Sequence, residues 1–221
     1  MKPQQIIFPC GGINLEGLYY AAEVQGSLPA VVICHPHPLH GGSMHNNVTY
    51  AVADALVKSG IATLLFNFRG VGRSQGSYGG GTAEQADIGA AIDWLGSWKG
   101  VDSARLGLAG YSFGGGVALP VACADERVKC VALISPYFEG PPIALLKGCR
   151  KPKLIMGGGS DDMVLPSDVE QYGREAAAPK TCEIIKGADH FWGGYEGTMA
   201  DSVAGFFHDY LSISYLTHPS L

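Results

Sequence analysis

Three widely separated side chains in this sequence are of the types that acyl transfer requires, and the first is fixed by the stretch Gly110-Tyr111-Ser112-Phe113-Gly114. Glycines on either side of a serine remove the Cβ atoms that would clash where a strand turns sharply into a helix. The serine then projects from the corner, and the first amides of the helix face the same space. A serine hydroxyl is a poor nucleophile at neutral pH. It needs a histidine to accept its proton and a carboxylate to hold that histidine in the right tautomer.

When the nucleophile stands on such a corner, the acid and then the histidine follow it along the chain, each on a loop after a later strand. Of seven histidines, only His190, His208 and His218 follow Ser112. His208 falls inside a helical pattern and His218 in the tail, which leaves His190 as the general base. The acid lies in Gly157-Gly158-Gly159-Ser160-Asp161-Asp162, after an apolar strand-like run. Neighbouring loop residues point in different directions, so Asp161 and Asp162 both stand as candidates, with Asp161 preferred. Asp189, beside the histidine, suits orienting the loop better than completing the triad.

Charge developing on the attacked carbonyl oxygen calls for two backbone amides aimed at it. Phe113 supplies one. The other comes from the loop His35-Pro36-His37-Pro38-Leu39-His40-Gly41-Gly42, where the prolines have no NH to give, so His37 is the donor by elimination. The same loop admits a rival reading, because His35, His37, His40 and His45 are dense enough to suggest metal ligands. His35-x-His37-x-x-His40 has the spacing of a binuclear metallohydrolase motif, but Leu39 stands where that motif needs an aspartate. Packing around a site mouth, or bonding to loop backbone, accounts for these imidazoles more simply.

The elements that must position these residues are legible in order. Ile6–Pro9 and Asn14–Ala21 are β-prone runs around Cys10-Gly11-Gly12, an antiparallel hairpin. Ala30–Cys34 is a continuous apolar run, as in a strand covered on both faces. Val48, Ala51, Val52, Ala55 and Leu56 have helical spacing between Asn47 and Ser59, and Ala62–Phe68 is the next strand. Thr82 caps a helix with Ile88, Ala91, Ile92 and Leu95 inward and Glu84, Asp87 and Asp93 toward water. The strand before Ser112 follows, then strands at Cys130–Ile134, Lys153–Met156 and Thr181–Ile185. Helices are predicted from Pro166 to about Glu175 and from Thr198 to about Leu211. About eight strands, the later ones alternating with helices, make an α/β doubly wound, mostly parallel sheet. The segment between Ile134 and Lys153 is too short for a cap domain. Residues 1–221 read as a single domain, with 212–221 a loosely ordered tail.

Bulk properties narrow the function. A chain of 221 residues with 47% hydrophobic and 16% charged content can bury a sizeable core. A net charge of -5 and the lack of a Lys/Arg run argue against nucleic acid or an anionic membrane as partner and favour a small neutral molecule. No apolar run approaches the roughly 18 residues of a membrane span, and no signal-peptide pattern opens the chain. Six scattered cysteines without a CxxC pair read as reduced thiols, and the cytoplasm is the expected location. Asn67-Phe68-Arg69-Gly70-Val71-Gly72-Arg73-Ser74 fits a tight loop beside the site. It lacks the features of a phosphate loop, and Arg69 is read as structural, bonding carbonyls or a carboxylate.

With these motifs in place the sequence resembles the α/β-hydrolase superfamily over nearly its whole length, in particular the small lidless branch of esterase-like and dienelactone-hydrolase-like proteins. The run His35–Pro38 with Gly41-Gly42-Ser43-Met44 and Asn46-Asn47 is similar to that branch's first loop, and Phe66–Ser74 to its second. The resemblance implies Ser112 as nucleophile and His190 as base, and an ungapped match from Leu154 through Val169 implies Asp161 as the acid. Leu165 departs from the proline common there. Dienelactone hydrolases proper usually carry a cysteine nucleophile, so serine here implies ordinary ester hydrolysis. The expectation is a serine carboxylesterase for small or short-chain acyl esters, with no cofactor. A homo-oligomer is compatible with it. The alternatives are a metal-dependent hydrolase built on His35, His37 and His40, and a catalytically silent binding protein of the same fold.

Overall fold

The computed structural model describes residues 2–21, 26–140 and 142–212. The predicted loose tail therefore lies, beyond Ser212, outside the described residues. In chain order the elements are β1 (Gln4–Cys10), β2 (Ile13–Tyr20), β3 (Leu28–Cys34), α1 (Asn47–Lys58), β4 (Ala62–Phe66), α2 (Thr82–Ser97) and β5 (Val101–Tyr111). They continue with α3 (Phe113–Ala124), β6 (Val128–Ile134), α4 (Ile143–Gly148), β7 (Lys153–Gly158), α5 (Pro166–Glu175), β8 (Lys180–Ile185) and α6 (Glu196–Leu211). One eight-stranded sheet runs β1-β2-β4-β3-β5-β6-β7-β8. The β1–β2 and β2–β4 pairs are antiparallel and every later pair is parallel. The hairpin between β1 and β2 turns on Gly11 and Gly12, both with positive φ, a conformation costly for other residues.

The continuous apolar runs are continuous because both faces of the sheet are covered. Ala30, Val32 and Cys34 of β3 and Leu64 and Phe66 of β4 point into one core with α2, α3, Leu146 of α4 and Val169 of α5. Val31, Ile33 and Leu65 point into the other, with α1 and α6. Burial of this kind, at about 25 cal/mol per Å² of apolar surface, is the main force holding the layers together. β8 is the exception: it forms an edge and is largely exposed.

Two sequence expectations fail in α2. Its N-cap is Gly81, with Thr82 the first helical residue. Glu84 and Asp87 do not face water; both are fully buried. Glu84 accepts the amides of Gly79 and Gly81, each at 2.8 Å, which satisfies loop donors at the helix start. Asp87 pairs with Arg69, whose Nη2 lies 2.6 Å from Oδ1. A buried carboxylate persists only when paired or hydrogen-bonded, and the partners here come from the loop after β4. Periodicity within the helix could not show that loop folding back over it.

Among the described residues between β6 and β7 the only helix or strand is the six-residue α4. The carboxyl edge of the parallel strands therefore carries no cap domain. No described helix is long and apolar enough to cross a membrane.

Candidate active site

Four strands end at one edge of the sheet, and each delivers part of the site. β5 ends at Tyr111, and Ser112 is the N-cap of α3 with φ 53° and ψ -120°. A non-glycine residue at positive φ is strained and needs surrounding structure to hold it. That structure is present: the Ser112 amide donates to the Ile134 carbonyl at 2.9 Å, and the Ser112 carbonyl accepts the Tyr137 amide at 3.0 Å. The flanking glycines are sterically required. A Cβ at Gly110 would lie 2.3 Å from the Gly114 carbonyl oxygen, and one at Gly114 would lie 2.5 Å from that of Cys34.

After β7 the loop turns Asp161 inward, where it is buried, and leaves Asp162 exposed. Asp161 Oδ1 accepts the amides of Met163 at 3.0 Å and Val164 at 2.8 Å. After β8 the loop brings in His190, also buried. His190 Nδ1 lies 2.9 Å from Asp161 Oδ2, and His190 Nε2 lies 3.1 Å from Ser112 Oγ. Serine, histidine and aspartate thus stand in one hydrogen-bonded row. Burial by itself would raise the Asp161 pKa. The bonds from His190, Val164 and Met163 outweigh it and hold the carboxyl below its ordinary value. An ionised Asp161 fixes the tautomer with hydrogen on Nδ1, leaving Nε2 free to accept.

Asp189 accepts the Phe191 amide at 3.0 Å and so shapes the histidine loop. Tyr111 does the same from below: its hydroxyl donates to the His190 carbonyl at 2.8 Å, and the two rings lie 5.5 Å apart. Sequence reasoning passed over Tyr111, although it stands inside the Gly-x-Ser-x-Gly motif. The signal was a residue with a hydroxyl at the end of a buried strand, where a partner must exist. Of the other late histidines, His208 lies exposed in α6 and His218 is outside the described residues.

The loop after β3 brings His37 against the nucleophile corner, its ring 4.8 Å from that of Phe113. Among the described residues the amides of His37 and Phe113 have no hydrogen-bond partner. The His37 ring is held in place: Nδ1 accepts the Leu39 amide at 3.1 Å, and Nε2 lies 3.3 Å from the Tyr78 hydroxyl. Tyr78 in turn donates to Glu139 at 3.2 Å. His35 is fully buried, with Nδ1 2.6 Å from the Pro36 carbonyl and Nε2 accepting the Phe68 amide at 3.0 Å. Both nitrogens of His35 are thus engaged with backbone, and His45 bonds Tyr50 at 2.5 Å. Among the described residues no group of three or more His, Cys, Asp or Glu side chains is arranged to hold a metal ion.

This architecture can be set beside known proteins. Residues 12–171 match the family model described as X-Pro dipeptidyl-peptidase (S15 family). The chain belongs to the S15 family, within the α/β-hydrolase superfamily. An α/β serine hydrolase homologue from Coxiella burnetii is 31% identical and superposes with a TM-score of 0.84, covering 93% of this chain and 97% of the other. A protein from Xanthomonas campestris, described as an α/β serine hydrolase without lid, is 27% identical with a TM-score of 0.80, covering 96% of each chain. An uncharacterised protein of Rickettsia prowazekii is 33% identical over 196 residues, 85% of this chain and 82% of its own length. As a family member the protein is an α/β serine hydrolase.

Proposed function

We propose that this serine hydrolase is a carboxylesterase acting on small or short-chain acyl esters through a Ser112-His190-Asp161 triad. The observation that carries this reading is the row of contacts from Ser112 Oγ through the imidazole of His190 to Asp161, at 3.1 and 2.9 Å.

In the reaction, Ser112 Oγ attacks the ester carbonyl carbon and its proton passes to His190 Nε2. The imidazolium that forms is stabilised by Asp161 across Nδ1–H. The carbonyl oxygen, now negative, is received by the amides of His37 and Phe113, a contribution that typically amounts to about 3 kcal/mol per donor. His190 then gives the proton to the leaving alcohol as the C–O bond breaks, which leaves an acyl-Ser112 ester. Water, deprotonated by the same imidazole, attacks this ester and releases the carboxylic acid and free Ser112. No step calls on a cofactor.

The net charge of -5 and the absence of any basic run favour a small neutral ester over nucleic acid or a membrane surface as partner. All six cysteines are free thiols, which fits a reducing cytoplasm. Self-association into a homo-oligomer is compatible with this site. The test is turnover of p-nitrophenyl acetate: the native protein releases nitrophenol, and Ser112→Ala, with an unchanged circular dichroism spectrum, does not. Equal turnover by the two proteins would remove Ser112 from the reaction.

A further inference from the structure

Large apolar side chains left in water are unevenly placed in this protein. Among the described residues they are Ile7, Leu39, Tyr137, Leu145, Met163, Leu165 and Phe191, and all but Ile7 lie on the segments that follow the carboxyl ends of β3, β6, β7 and β8, Leu145 within the short α4. An exposed apolar side chain on its own is ordinary; a cluster at one place marks a surface made to be covered. Each side of the serine has its own group. Leu39, Tyr137 and Leu145 belong to the side of His37 and Phe113, where Phe113, Val117, Tyr137, Phe138 and Leu145 line a cavity of about 330 Å³. Met163, Leu165 and Phe191 belong to the loops of Asp161 and His190.

The chemistry gives the two sides different tasks. The imidazole hands its proton to the departing oxygen, so the leaving group has to lie on the histidine side; the oxyanion amides hold the carbonyl oxygen, and the acyl group is left the remaining direction, toward the cavity beside Phe113. Phe191 is 62% exposed and sets its ring edge-on to His190, with centroids 5.7 Å apart and planes at 89°. Met163 and Leu165 are 59% and 49% exposed and flank Val164, which is buried. The amides of Met163 and Val164 are tied to Asp161, so the loop that bears these side chains is fixed to the catalytic row. Asp162 and Asp189 are exposed on the same two loops, with Lys186 exposed at the start of the second, and leave the charge around the patch net negative.

Resting on the carboxylesterase reading, we infer that Met163, Leu165 and Phe191 form a leaving-group surface, and that the natural ester carries a bulky, uncharged, apolar alcohol or phenol. The acyl portion stays small and enters on the Phe113 side. The occupant of the patch is the leaving group of the substrate, because the Phe191 ring lies against the imidazole that protonates the departing oxygen. The two aspartates disfavour an anionic leaving group such as a phosphorylated carrier.

The experiment compares kcat/KM for phenyl acetate, 2-naphthyl acetate and 6-sulfo-2-naphthyl acetate, which share one acyl group and differ in the size and charge of the leaving phenol. The native protein is expected to prefer 2-naphthyl over phenyl acetate by about tenfold, the scale of a modest hydrophobic contact, and to disfavour the sulfonated ester. In Phe191→Ala and in Met163→Ala/Leu165→Ala the naphthyl-to-phenyl ratio falls toward one, while fluorophosphonate labelling shows Ser112 still reactive. Equal kcat/KM for the two neutral esters in the native protein, or a ratio unchanged in both variants, overturns the leaving-group surface and leaves the esterase reading standing. Failure to hydrolyse any of the three overturns the esterase reading and this inference with it.

Discussion

Arg69 and Asp87 form a fork-like ion pair beneath the site, with Arg69 Nη2 2.6 Å and Nε 3.0 Å from Asp87 Oδ1. The Arg69 amide donates to the other carboxylate oxygen at 2.9 Å, so Asp87 ties the loop after β4 to α2 by both side chain and backbone. Asp87 is fully buried, whereas the Arg69 side chain is one-fifth exposed. Removing the carboxylate leaves a partly hydrated guanidinium and an unpaired amide. Asp87→Ala is expected to cost about 2–3 kcal/mol, below the upper range for a wholly buried pair because Arg69 retains some water. Urea unfolding measures this; a loss under about 0.5 kcal/mol would show that the pair does not hold the loop.

His35 gives the fold a pH dependence of its own. Burial lowers its pKa from 6.5 to about 4, against a smaller opposing effect of its bond to the Pro36 carbonyl. Between those two values the unfolded chain binds a proton that the folded chain does not, so stability is fully present above about pH 6.5 and falls as pH drops toward 4. The loss amounts to about 3 kcal/mol over the window. Denaturant unfolding at pH 7 and pH 5 should show the native protein weaker at pH 5. His35→Asn should be weaker at both but with a shallower slope, and an unchanged slope would assign the effect elsewhere.

Asp161 and Asp162 are adjacent, yet only Asp161 touches His190. Asp161→Asn keeps the shape and favours the wrong imidazole tautomer, a change expected to lower kcat by about 10⁴. Asp162 is exposed, and Asp162→Asn is expected to change kcat less than about twofold. Steady-state kinetics on p-nitrophenyl acetate separates the two, and a large loss in Asp162→Asn alone would reverse the assignment.

Tyr111→Phe removes the hydroxyl that holds the His190 carbonyl at 2.8 Å and leaves a buried acceptor unpaired. The expected cost is about 1–3 kcal/mol in stability. Because the imidazole loses a support and not a reacting group, kcat should fall about tenfold or less. Kinetics and thermal unfolding of the same variant report both numbers; full stability with full activity would make the contact incidental.

The strands β3, β4, β6 and β7 were legible because each, buried on both faces, reads as a nearly unbroken apolar run that a loop and helix then interrupt. Ser112 stood out for the opposite reason: two glycines mark a corner no other residue pair permits. Spacing alone left Asp161 and Asp162 open, since the choice depends on which carboxylate the amides of Met163 and Val164 draw inward. Glu84 and Asp87 were misread as solvent-facing because their partners, Gly79, Gly81 and Arg69, come from a loop whose path is set by tertiary packing. The Tyr78-His37-Glu139 network was hidden in the same way, being assembled from three separate loops.

The proposed reaction requires that His190 make the Ser112 hydroxyl nucleophilic. Fluorophosphonate treatment followed by peptide mapping tests it most directly, because the reagent bonds to a serine in proportion to its activation. The expected outcome is a single adduct on Ser112 in the native protein, none in Ser112→Ala, and labelling slowed by at least about a hundredfold in His190→Ala. An unlabelled native protein, an adduct on another residue, or labelling at the native rate in His190→Ala would contradict it.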